Sequence, residues 1–113
     1  MSENLHRVSE LQHTIINSAA GGTLPIAAAV ANQRAGIYRI ILTTAAAVTV
    51  TIQDTGSNAL SEPFAFGVNG GSVVLDISSN GDPWWQSGTG LGLQLNASAA
   101  VQVSGDIWWL QGP

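Results

Sequence analysis

Apolar and polar residues alternate through Val48, Thr49, Val50, Thr51, Ile52 and Gln53, the period of a strand with one dry face and one wet face. The same rhythm recurs along the chain. GIYRIILTT (36–44) is rich in β-branched and aromatic residues, and SVVLDI (72–77) is short and apolar. LGLQL (91–95) sets Leu91, Leu93 and Leu95 on one face. AAVQVSGDIWWL (99–110) closes the series, with a bulge or bend expected at Ser104-Gly105. An earlier strand is expected over LQHTIINS (11–18).

Turn signals separate these runs: QDTGSN (53–58), VNGG (68–71), SSNGDP (78–83), SGTG (87–90) and LNASA (95–99). Asn69-Gly70 and Asn80-Gly81 are dipeptides that tolerate the positive φ of tight turns. Strands at roughly ten-residue spacing, with no long helical pattern between them, predict an all-β sandwich or barrel. Residues 1–10, MSENLHRVSE, break the pattern. Leu5, Val8 and Leu11 have the spacing of one helical turn, but the segment is short for an isolated helix and carries both acids and a base. The expectation is an N-terminal arm over 1–10 and a single β-sandwich domain over 11–113, with no internal repeat or linker.

Composition changes this picture in one respect. Charged residues are 9% of the 113 positions, against about 25% in an average soluble protein. Ser, Thr, Asn, Gln, Gly and alanine runs such as AAAVA (27–31) take their place. Arg7, Arg34 and Arg39 are the only strong cations, and the net charge is −4. That balance lacks the basic surface needed to neutralise phosphates, so a nucleic-acid partner is not expected. The absence of cysteine removes thiol chemistry and cysteine-ligated metals. Neither a secretion leader nor an apolar run of about 20 residues is present, so a soluble chain made in a cytoplasm, without a membrane partner, is expected.

Catalytic signatures are weak. His6 and His13 have no carboxylate beside them at metal-ligand spacing, and a solvent-facing or interface role is expected for both. Asp54, Asp76, Asp82 and Asp106 lie in or near predicted turns, where a carboxylate accepts backbone amides. Paired acids could serve glycoside hydrolysis or calcium binding, but no D-x-D-x-D-G spacing exists. GTGLG (88–92) lacks the flanking elements and the lysine of a phosphate loop, and NAS (96–98) is a short chance-prone glycosylation pattern. No cofactor, metal site or enzymatic activity is expected.

The tryptophans are the remaining signal. Trp84-Trp85 and Trp108-Trp109 are adjacent pairs, and strand pleating points one ring of each inward and its neighbour outward. An outward indole can pack on another protein, stack on a sugar, or lie on the surface. Enrichment of indoles at protein contacts, and the scarcity of hydroxyl-reaching neighbours, favour an interface.

From Ala35 to Trp109 the chain resembles small virion proteins of tailed bacteriophages, the capsid decoration or cement type. The resemblance rests on AGIYRIILTTAAAVTVTIQD, LSEPFAFGVNGGSVVLDIS and GDPWWQSGTGLGLQLNASAAVQVSGDIWW, taken in that order. In that family a basic strand after an Ala-Gly turn leads to an AAxVTVT strand. A Gly-Gly turn, an aromatic pair before a Gly-rich turn, and an LxLxLxxAxxVxVxG hairpin follow. The resemblance implies an antiparallel β-sandwich of the jelly-roll type that forms a homotrimer on the outer surface of a virion capsid and bridges major capsid proteins. The paired tryptophans and residues 1–34 depart from the family pattern. Trp84, Trp85, Trp108 and Trp109, with Leu5, Val8 and Leu11 of the arm and its junction, are the candidate trimer or capsid contacts. A carbohydrate-binding module of a tail fibre or head, with a glycan on the outward tryptophans, is the alternative. A tail or baseplate component of similar fold is a third reading.

Overall fold

The computed structural model describes residues 11–113. The arm over 1–10, with Leu5 and Val8, lies outside the described residues. Nine strands follow: β1 (Gln12–Ser18), β2 (Gly22–Ala27), β3 (Arg34–Thr44), β4 (Val48–Asp54), β5 (Phe64–Phe66), β6 (Gly71–Leu75), β7 (Trp85–Gln86), β8 (Leu93–Ala97) and β9 (Val103–Gly112). They form two antiparallel sheets, one ordered β1-β9-β3-β6 with β7 also on β3, the other β2-β8-β4-β5. The protein is an all-β sandwich, with no helix among the described residues.

Alternation builds the core. Val48, Val50 and Ile52 of β4 are buried with Leu93, Leu95 and Ala97 of β8, facing Ile40 and Leu42 of β3 and Val103 and Ile107 of β9. Trp85, Trp109, Phe64 and Phe66 pack against this cluster from its margins. The turns anticipated at 68–71 and 78–83 form, whereas LNASA (95–99) does not make one, because Leu95, Asn96 and Ala97 continue β8 and the chain bends after them. Gly70 N–H donates to the Gly67 carbonyl at 2.8 Å with Gly70 at φ 72°, and Gly81 N–H donates to Ser78 at 3.0 Å.

Several local expectations are corrected. β9 starts at Val103 instead of 99, and it passes Ser104-Gly105 in unbroken register with both β1 and β3. Gly105 answers a different need, because a Cβ there would lie 2.0 Å from the Ile41 carbonyl oxygen. The bulge lies instead in β3, between Ile37 and Arg39. Leu91 precedes β8 and is half-buried, so Leu93, Leu95 and Ala97 form the inward series. β2 was not anticipated because Pro25 interrupts it. Proline is tolerated there since β2 is an edge strand paired only with β8, and the register shifts just after it. β5 and β7 are too short to carry a period.

Candidate functional site

Sandwich sheets of this kind ordinarily present alternating polar side chains to water. The outer face of the second sheet does so, with Thr49, Thr51 and Gln53 on β4 and Asn96 on β8. The first sheet differs because its strands carry apolar doublets. Ile15-Ile16, Ile40-Ile41, Val73-Val74 and Trp108-Trp109 lie on β1, β3, β6 and β9. Pleating forces one member of each doublet outward. Ile16 and Ile40 are buried, and Val73 and Trp109 pack on the core. Ile15, Ile41, Val74 and Trp108 are therefore left on the outer face.

Register arranges these residues in rows. Ile15, Asp106, Ile41 and Val74 form one row across β1, β9, β3 and β6; Asn17, Ser104, Thr43 and Ser72 form the next. Ile15 is 70% exposed and Val74 61%. The row on the other side holds His13, Trp108 and Arg39. Here the His13 ring stacks on the Trp108 indole with centroids 4.7 Å apart and planes 11° from parallel. Arg39 Cζ lies 4.6 Å from the indole centroid. Since β1 and β3 flank β9 on opposite sides, the two partners cover both faces of Trp108.

Carboxylates fix the ends of this stack. His13 Nε2 is 2.7 Å from Asp106 Oδ1, and Arg39 Nε is 3.2 Å from Asp76 Oδ1. The second pair is an ion pair without hydrogen-bond alignment, so the buried Arg39 Nε–H has no acceptor. The Asp76 carbonyl in turn accepts the Trp84 indole N–H at 2.8 Å. The side chains of both pairs are solvent-accessible, so each pair contributes about 0–1 kcal/mol. The cluster orients Trp108 more than it stabilises the fold.

The candidate residues separate accordingly. Trp84 is 41% exposed and Trp108 stands on the outer face, whereas Trp85 meets Phe64 edge-on at 5.9 Å and Trp109 lies against the core. Leu11 is half-buried just before β1. Asp54 behaves as expected of a turn aspartate, its Oδ1 accepting Gly56 and Asn58 amides at 2.9 and 3.1 Å. Asp106 does not, because it sits mid-strand and supplies the carboxylate that His13 lacks in its own sequence neighbourhood. Ile15, Ile41 and Val74 escaped notice in the sequence, although their doublets carry the same signal as the tryptophan pairs. No group of three or more His, Asp or Glu side chains converges at metal-binding distance among the described residues.

The Trp108 stack divides the outer face into two hollows. On one side, a shallow depression of about 470 Å³ lies over Ser104 and Asp106, between Ile15 and Asn17 on one flank and Ile41 and Thr43 on the other. On the other side, a polar pocket of about 380 Å³ is lined by Arg34, Gly36, Tyr38, Gln86 and residues 110–113 of β9 and the position after it. Comparison with protein-family models, curated proteins and solved structures gives no match.

Proposed function

We propose that the chain is a structural virion protein, a homotrimeric decoration or cement protein on the outer surface of a bacteriophage capsid, where it bridges and stabilises major capsid proteins. The observation that carries this reading is the outward apolar set Ile15, Ile41 and Val74, in a row that crosses four strands of the five-stranded sheet and is interrupted by Asp106 on β9. Covering Ile15 and Val74 contributes on the order of 1–2 kcal/mol each, a modest sum that repetition over a symmetric lattice multiplies. Trimer and capsid contacts would also account for a surface with so few charges, since buried flanks need none.

Topology supports the same reading. The orders β1-β9-β3-β6 and β2-β8-β4-β5, with β7 as an addition, suit the paired four-stranded sheets of a jelly roll, the fold implied by the resemblance. The work is mechanical in this reading. Binding to the assembled shell and not to the open one stabilises the shell by linkage, with no catalytic group, cofactor, nucleic acid or membrane involved. A glycan platform on Trp108 is disfavoured because His13 and Arg39 already occupy both faces of its ring.

Two measurements test the proposal. Sedimentation of the purified chain at micromolar concentration should give a species three times the 11.6 kDa monomer; a stable monomer contradicts the trimer. Heating particles with and without the protein should lower the rupture temperature when it is missing. Equal temperatures remove the cementing role, and microscopy that locates the chain on a tail moves it to the baseplate reading.

A further inference from the structure

We infer that the polar pocket beyond Trp108 binds a carboxylate-bearing saccharide unit. This goes beyond the proposed virion role and does not depend on it. The first observation is electrostatic. Within a chain of net charge −4, Arg34 has no carboxylate at ion-pair distance among the described residues, whereas Arg39 is paired with Asp76. Its Nε donates to Thr89 Oγ1 at 3.0 Å, which pins the guanidinium and leaves the planar fork of terminal N–H groups to meet an anion. An unpaired, pinned arginine at the mouth of a pocket is a carboxylate receptor in chemical terms.

The walls suggest what the carboxylate is attached to. Tyr38, put out of register by the β3 bulge, gives an aromatic wall beside Leu110. Gln86, exposed on β7 opposite Gly36, supplies an amide, a group that both donates to and accepts from hydroxyls. The pocket volume of about 380 Å³ falls within the range of about 300–1,000 Å³ usual for small-ligand sites. A cation, an aromatic wall and an amide match an acidic sugar ring better than a simple anion.

Gly112 allows a clean test. It lies on the same face of β9 as Leu110, and a Cβ there would meet nothing within 4 Å, so the side chain of Gly112→Phe starts in open space and projects into the pocket. The experiment titrates D-glucuronate into the ¹⁵N-labelled full chain and follows the Gly36, Gln86 and Gly112 amides. D-glucose and acetate serve as neutral and charge-only probes. Saturable shifts with a dissociation constant on the order of 1 mM are expected, at least about tenfold weaker for glucose, for acetate and for Arg34→Gln. Gly112→Phe should abolish them, while the other amide signals of either variant report an intact fold. The Phe variant carries the test if Arg34→Gln disturbs the spectrum. No saturable binding of glucuronate, equal binding of glucose or acetate, or unchanged binding by Gly112→Phe would overturn the inference.

Discussion

The indole N–H of Trp109 donates to Thr14 Oγ1 at 2.9 Å, and the same hydroxyl donates onward to the Ile26 carbonyl at 2.8 Å. One oxygen thus joins β9 and β1 of the first sheet to β2 of the second, at the margin of the core. Thr14→Val keeps the shape and removes the oxygen, stranding a donor and an acceptor together. A loss of about 1–3 kcal/mol is expected in urea unfolding. The control is Thr43→Val, whose exposed hydroxyl reaches the Ser104 carbonyl only at 3.3 Å and should cost within about 0.5 kcal/mol. Equal effects would show that the sheet-to-sheet link contributes nothing special.

Gly105 and Gly112 share β9 and predict opposite outcomes. A Cβ at Gly105 would sit 2.0 Å from the Ile41 oxygen, and pairing with β1 and β3 on both sides holds the backbone in place. Gly105→Ala should lose more than about 3 kcal/mol or fail to fold. Gly112→Ala meets open space and should melt within a few degrees of the parent. Similar melting temperatures for the two variants would refute the close-approach account.

How much of this was legible in the sequence depends on the kind of signal. β4 could be read from Val48 to Gln53 because its period is clean and its bounding turn, Asp54 to Asn58, is chemically explicit. β2 could not, since Pro25 argues against a strand unless its edge position is known, and that position is a property of the whole sheet. The Trp84-Trp85 and Trp108-Trp109 pairs announced one inward and one outward ring each. Which ring faces out is decided by register, which no local pattern encodes. The His13–Asp106 contact spans 93 positions and was invisible for the same reason.

The Arg39–Trp108 contact should be measurable as a coupling. A double-mutant cycle with Arg39→Met and Trp108→Leu is expected to return about 0.5–1 kcal/mol, the usual size for a partly exposed cation–π pair. Each variant keeps an apolar side chain in the row, so the cycle isolates the charge on the ring. A coupling indistinguishable from zero would mean that Arg39 is held by Asp76 alone.

Ile15 and Val74 mark the two ends of the row that also holds Asp106 and Ile41, on the edge strands β1 and β6, and neither supports the core. Replacing either with Lys removes apolar contact area and introduces a charge that any partner surface must desolvate. Chain stability should stay within about 0.5 kcal/mol, because an exposed strand position tolerates a long polar side chain. Association should fall instead, so that Ile15→Lys and Val74→Lys sediment as monomers where the parent forms the proposed trimer. Thr23→Lys, exposed on β2 of the opposite sheet, supplies the same charge on the polar side and should leave association unchanged. If all three variants assemble like the parent, the apolar row is not the contact face. If Thr23→Lys alone dissociates, the interface belongs to the other sheet, and the doublets of β1, β3, β6 and β9 need another explanation.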